Sequence, residues 1–245
     1  MWFRNLQVYR LADDWQPDVA DLQRRLERNA FRSCGASEMQ SLGWVPPRGN
    51  PGELLLTAQK HLLICLGIEQ KLLPASVIRQ HVQERLAVIE ERQGGKAGRR
   101  QKFETREAVM AELLPRAFVR RRLTYAWIDP DPKRGGWLVI DAASPAKADE
   151  MIEHLRLTLG HLPFHLLRTQ ISPGTAMTDW LAAGEAPGGF TIDRDCELRA
   201  PGEERATVRY ARHALEGDEI RRHIAAGKLA TRLALTWNDR ISFLL

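Results

Sequence analysis

An α+β fold is predicted by three features of this chain. Strand-like and helix-like periodicities alternate along it, neighbouring strand-like runs are joined by short turns as in antiparallel hairpins, and no unit repeats. The expected architecture is mixed or antiparallel sheets with packed helices and a projecting basic helical arm. At 245 residues there is room for one large domain or two modest ones, each able to bury a core. Hydrophobic content of 44% and charged content of 27% are ordinary for a soluble globular protein.

"WFRNLQVYRL" is rich in β-formers and predicts an opening strand. Asp18 to Ala30 predicts a helix, with Pro17 near its start and Val19, Leu22 and Leu26 on one side. The glycines and prolines of "SCGASEMQSLGWVPPRGNPGE" predict a long irregular connection, with Trp44 folding back onto the core. Leu54 to Leu73 holds three short apolar runs that read as strands. Pro74 suits a helix start. Beyond it Ile78, Val82, Leu86 and Ile89 form one stripe expected to be buried, with Arg79 and Gln83 off it. Gly94 and Gly95 end that helix, and a second is expected from about Arg99 to Leu114.

This second helix places Arg99, Lys102 and Arg106 on one face, continued by Met110, Leu113 and Ala117. Docking along its whole length on that face would bury unpaired arginines at large cost. The expectation is a first half that projects and a second half that packs, until Pro115 disturbs the helix.

"LTYAWID" and "GWLVIDA" predict strands joined by the turn "PDPKRG". Ser144 and Pro145 open a helix with Ala148, Ile152, Leu155 and Leu159 as its core face, ended by Gly160. A short strand "LPFHLL", a short helix "MTDWLAA" and a weakly alternating strand "ATVRYARH" follow, then a helix from Glu219 to Ala226. In "KLATRLALTW", residues Leu229, Thr231, Leu233, Leu235 and Trp237 are expected to point one way, with "RISFLL" as a partner strand. The domains expected are a central region of residues 1–74 and 123–170, a basic helical arm of 75–122, and a C-terminal α+β region of 171–245.

No apolar run approaches the length of a membrane helix, the longest being Leu62 to Ile68, and the N-terminus lacks the pattern of a signal peptide. Three cysteines, Cys34, Cys65 and Cys196, are far apart and at no metal spacing, which predicts free thiols in a reducing cytoplasm. The net charge is +5, but ten cationic and three acidic residues lie between Arg92 and Arg122, so this window carries +7 and the rest of the chain −2. Such a window reads either as a localised field for a polyanion or as a solvated helix-loop-helix.

For catalysis, a metal-dependent nuclease would need converging carboxylates. Asp129, Asp131, Asp141 and Glu150 are the local candidates, although the first two sit in a turn where Asp and Pro are expected anyway. His154, His161 and His165 share no helical spacing, Gly160 and Pro163 intervening, and Cys34 has no marked partner base. P-loop, GxGxxG, GxSxG, HExxH and CxxC motifs are absent. No cofactor and no metal ligand set is expected. For binding, arginine forks suit phosphate, and a basic window without a base-reading motif predicts contact with the backbone of a nucleic acid. Phe103 and Phe118 are the window's only aromatics, little for a stacking platform.

Five motifs occur in order along the whole chain: "MWFRNLQVYRL", "GWVPP" at Gly43 to Pro47, "KLLPASVIRQ" at Lys71 to Gln80, "LLPRAF" at Leu113 to Phe118 and "KLATRLALTWNDRISF". Together they resemble the bacterial RdgC family of recombination-associated proteins. The resemblance implies a ring-shaped homodimer that binds double-stranded DNA with little sequence preference in the nucleoid and limits RecA-dependent recombination, without enzymatic activity. It implies DNA-binding roles for Lys71, Arg79, Arg116, Arg120, Arg209, Arg212 and Lys228, and a ring-closing contact at Phe118. Arg121 and Arg122, further cations in the same stretch beyond the family pattern, are expected to bind DNA as well. The resemblance also implies a family chain that continues several tens of residues past "RISF", and a helical, Lys-rich segment where "RQGGKAGRR" is glycine-rich here. The alternatives are the metal-dependent nuclease using Asp129, Asp141 and Glu150, and a module that contacts RecA directly.

Overall fold

The computed structural model describes residues 2–202 and 205–245. It is α+β, with antiparallel sheets and six helices. The chain divides into two compact units, Met1–Leu167 and Arg168–Leu245.

The first unit is built on a seven-stranded sheet. Its strands are β1 (Leu6–Leu11), β2 (Gln40–Val45), β3 (Leu55–Ala58), β4 (His61–Leu72), β5 (Phe118–Asp129), β6 (Trp137–Asp141) and β7 (Phe164–Leu166). They run in the order β2-β4-β5-β6-β1-β7, all antiparallel. β3 shares an edge of β4 with β2, pairing His61–Ile64 while β2 pairs Cys65–Gln70. The expectation of three strands between Leu54 and Leu73 is thus corrected to two, because Leu62 to Leu72 runs without a break. The loop expected around Trp44 contains β2. Gly43, which suggests a turn, instead lies directly opposite Gly67 so that the backbone of Phe31 can cross the sheet; a Cβ on Gly43 would fall inside 3 Å of it.

One sheet face is covered by α1 (Val19–Arg28) and, further along the chain, by a helix at Pro145–Leu159. Asp18 caps α1 by accepting from the Ala20 N–H at 2.9 Å, and Leu22 and Leu26 are buried. In the Pro145–Leu159 helix Ala148, Ile152 and Leu155 are buried as expected, joined by Met151; Ser144 occupies the cap position without a side-chain capping bond. The indole of Trp44 is buried as expected and donates to Thr158 Oγ1 at 2.8 Å.

Between β4 and β5 the chain makes a helical hairpin of α2 (Ala75–Gln93) and α3 (Arg99–Leu113). The α2 stripe Ile78, Val82, Leu86 and Ile89 is only half-buried, because α3 alone packs on it. In α3 the buried residues are Thr105 and Val109, flanked by half-buried Gln101 and Leu113. At about 100° per residue this face lies roughly a quarter turn from Arg99, Lys102 and Arg106. The half-projecting, half-packing helix is therefore corrected: α3 packs along its length on a face without arginines, and the cationic face stays in water. After the short 3₁₀ turn Leu114–Arg116, β5 begins at Phe118, five residues before the strand expected from the sequence. The Pro145–Leu159 helix is α4 in chain order.

The second unit has four strands in the order β11-β10-β8-β9: β8 (Phe190–Arg199), β9 (Thr207–Tyr210), β10 (Leu229–Trp237) and β11 (Ile241–Leu244). Helices α5 (Pro173–Ala183) and α6 (Asp218–Ala225) join its core through Met177, Leu181 and Ile220. β8 was not expected, since Asp193, Arg194 and Asp195 break its apolar pattern; its buried part is Cys196 and Leu198. In β10 a register shift between Ala230 and Arg232 turns Ala230 inward and Thr231 outward, so the single alternating row expected there is corrected to buried Ala230, Leu233 and Leu235.

Candidate nucleic-acid interface

Ten cations lie between Arg92 and Arg122, and three have ion pairs: Lys96 with Glu90, Arg100 with Glu104 and Arg122 with Glu150. The other seven, Arg92, Arg99, Lys102, Arg106, Arg116, Arg120 and Arg121, are exposed and have no ion-pair partner among the described residues. Two elements present most of them. On α3, Arg99, Lys102 and Arg106 flank Phe103, which is 63% exposed.

On β5 the strand alternation divides the other group. Phe118, Arg120 and Arg122 point to the side of Thr124, Ala126 and Ile128, the helix-covered face, beyond the end of its core. Their neighbours on β4 are Leu72, Gln70 and Ile68 in register. Phe118 is 84% exposed and Leu72 47%, which makes an apolar pair at the end of the ladder. Phe118 is therefore an exposed strand residue, outside the core clusters. Arg120 is exposed beside it, whereas Arg122 bonds to Glu150 Oε1 at 2.7 Å.

Arg121 faces the other way. Its guanidinium lies 4.5 Å above the Phe31 ring, on the segment that crosses the sheet. The same segment is tied down by Glu69, which accepts from the Cys34 N–H at 2.7 Å.

Lys71 is unlike the other positions expected to meet DNA. It is 6% exposed, and its ammonium donates to Ala36 O at 2.8 Å and Leu114 O at 2.9 Å. Its charge is committed to two backbone carbonyls, joining the crossing segment to the foot of the hairpin. Arg79 is exposed on α2, and Arg116 is exposed in the 3₁₀ turn. In the second unit Arg209 is exposed on β9, opposite Glu197, and Arg212 is exposed just beyond it. Lys228 is half-buried, its ammonium 2.8 Å from His223 Nδ1. The structure thus brings Phe118, Arg120 and Arg116 together around the start of β5; Arg209, Arg212 and Lys228 belong to the other unit. Leu72 escaped the sequence reading, and its signal was the antiparallel pairing that sets it opposite Phe118.

The carboxylates weighed for metal chemistry are dispersed. Asp129 sits beside Asp131 at the turn, where Asp129 Oδ1 accepts from the Asp131 N–H at 3.1 Å and Arg134 approaches both carboxylates. Asp141 is four residues along β6 from Trp137, the partner of Asp129, a separation of roughly 13 Å. There it accepts from the Arg4 and Asn5 amides. Glu150 pairs with Arg122, seven residues along β5 from Asp129, roughly 23 Å. Among the described residues no three His, Cys, Asp or Glu side chains are grouped to hold a metal ion. His154 packs on Trp44, and burial pushes its pKa down, so it is a neutral core residue. All three cysteines are free; burial pushes Cys65 up to about 12 and Cys196 up to about 11, which leaves both as inert thiols. No helix is long and apolar enough to cross a membrane among the described residues.

A family model described as "Putative exonuclease, RdgC" matches residues 1–245. The chain is 53% identical over 249 residues to the "Recombination-associated protein RdgC" of Dechloromonas aromatica (strain RCB), covering all of this chain and 80% of that one. It is 54% identical over 245 residues to the protein of the same name from Janthinobacterium sp. (strain Marseille), again covering all of this chain and 80% of the relative. With the namesake of Cupriavidus pinatubonensis it shares 49% identity over 245 residues, 100% of this chain and 81% of the other.

Proposed function

This chain belongs to the RdgC family, and from that premise we propose that it is a recombination-associated protein that binds duplex DNA without sequence preference. The observation that carries this reading is the set of seven exposed cations between Arg92 and Arg121 that have no ion-pair partner among the described residues. An arginine without a carboxylate partner keeps its donors for phosphate, and each contact releases condensed counterions. Residues 75–122 act as a basic helical arm on a central region of 1–74 and 123–170, with 171–245 as a second α+β region. The working form is a ring-shaped homodimer in the nucleoid. Phe118, with Leu72 opposite it, supplies an apolar patch for closure against a second copy, and enclosure of the duplex slows release without adding contacts. Occupied DNA is denied to RecA, so antagonism needs no direct contact with RecA.

The test is binding to one duplex as a linear fragment and as a closed circle, at several salt concentrations, on protein of known mass in solution. A dimer with a steep salt slope on both, leaving the circle more slowly, is the expected result. Weak binding insensitive to salt would reduce the basic window to a solvated face and move the direct RecA contact to the front.

A nuclease reading is favoured by the wording of the family description. Against it stands the separation of Asp129, Asp141 and Glu150, each engaged by other groups. Plasmid incubated with excess protein and Mg²⁺ or Mn²⁺ is expected to stay intact; nicking or shortening would restore it.

A further inference from the structure

Phosphate contacts account for the cations of α3 but not for the ring among them. Phe103 stands in the second turn of α3, 63% exposed. Thr105, in the face that packs on α2, lies roughly 200° further round the helix, so the ring is turned away from the other arm of the hairpin. Its neighbours at helical spacing are Arg99, Arg100, Arg106 and Glu107. Arg100 is taken up by Glu104 at 2.7 Å. Arg99 and Arg106, with Lys102 beside them, are exposed and have no ion-pair partner among the described residues. Glu107 is the one carboxylate among the four neighbours, and these three cations outnumber it.

Elsewhere in the chain an arginine near a phenylalanine lies over its ring. Arg121 covers Phe31 at 4.5 Å and Arg156 covers Phe164 at 4.9 Å. Phe103 has an arginine one helical turn away on each side, yet among the described residues no cation lies over its ring and no other ring stacks on it. The ring and the guanidinium groups around it are thus both open to a ligand. Such a ligand must offer anionic groups and, between them, a flat π-face. A continuous duplex offers the first but hides its base faces in the stack. Duplex DNA with one base outside the stack offers both.

Building on the duplex-binding reading above, we propose that Phe103 gives this protein a preference for duplex DNA that carries an unpaired base. The base stacks on the Phe103 ring, and Arg99, Lys102 and Arg106 hold the phosphates on either side of it. Taking a paired base out of the stack costs about what one aromatic ring returns, so a continuous duplex gains little from Phe103. A base that is already unpaired costs least to present, and it keeps the gain. One ring is too little for a run of single-stranded bases and enough for one base.

The test uses the full chain and three dye-labelled duplexes, compared by fluorescence anisotropy at one salt concentration. The first is continuous, the second carries one unpaired adenine, and the third carries an unpaired abasic residue, which loosens the duplex but has no base to stack. The adenine form is expected to bind at least about fivefold tighter than the other two. Phe103→Ala, at an exposed position where Ala suits a helix, is expected to keep the fold in thermal melting and to bring the ratio of affinities to about one. Phe103→Trp is expected to keep the preference. Arg120→Ala, a phosphate contact on another element, is expected to weaken all three complexes and leave the ratio as it is. Equal affinity for the adenine and abasic forms, or a preference that survives in Phe103→Ala, would overturn the proposal while leaving the duplex reading standing. Binding to none of the three would overturn the duplex reading and the proposal with it. Self-association without DNA that Phe103→Ala abolishes would assign the ring to a second copy of this chain and overturn the proposal as well.

Discussion

Arg120 and Arg122 are two residues apart on one strand and share a face, yet they have different chemistry. Arg120 is exposed and has no ion-pair partner among the described residues, whereas Arg122 is held by Glu150. Arg120→Ala is therefore expected to weaken duplex binding and to flatten the slope of log K against log salt by about 0.9, one phosphate contact. Arg122→Ala is expected to change that slope by less; its pair with Glu150 is partly exposed and contributes at most about 1 kcal/mol to stability. Titration of both variants over the same salt series tests the contrast, and equal slopes would remove the distinction. Lys71 is the opposite case. Lys71→Met would leave Ala36 O and Leu114 O without their donor, at about 1–3 kcal/mol. The expected effect is a lower melting temperature with an unchanged salt slope; a slope that falls with no loss of stability would make Lys71 a phosphate ligand.

At the scale of elements, the informative fact is where the helical hairpin is inserted. β4 and β5 are paired without interruption up to Leu72 opposite Phe118, so residues 73–117 occupy the place of a β-turn. α2 has no buried residue, and α3 has Thr105 and Val109. Little of the main core depends on them, and the hairpin belongs to the low-stability end of the molecule. Replacing residues 73–117 by Asn-Gly, which suits a two-residue hairpin, is expected to leave a folded sheet, since β4 and β5 stay in register. Duplex affinity is expected to fall at least about tenfold, because five of the seven unpaired cations go with the hairpin. Melting with circular dichroism reads the first outcome and a binding isotherm the second. Unchanged affinity would place the DNA surface elsewhere.

At the scale of the whole molecule, the functional reading rests on two copies closing around DNA. Phe118 at 84% exposure is costly for a lone chain to display and suits a contact that another surface covers. Phe118→Ala is expected to speed release from closed circular duplex toward the rate for linear duplex, with the initial salt slope nearly intact. Stopped-flow dissociation from the two DNA forms measures this; an unchanged ratio of rates would remove Phe118 from closure.

Much of this was legible in the sequence. Periodicity located α1, α4 and α6, the count of charges located the basic window, and the collinear motifs pointed to the family that the comparisons then showed. Those are properties of neighbouring residues or of matched strings. Tertiary structure decided what depends on distant partners. The pairing of β4 with β5 extended a strand back to Phe118 and set Arg120, Arg121 and Arg122 on alternate faces. Burial against the crossing segment turned Lys71 from a surface charge into an internal tie. Local polarity hid β8, because its Asp193–Asp195 stretch is exposed or half-exposed while Cys196 and Leu198 are inside. The apolar row of Leu56, Leu63, Trp127, Val139 and Val8 joins five strands distant in sequence. No window of the chain displays it, because hydrogen-bond register between strands, rather than sequence order, places those side chains side by side.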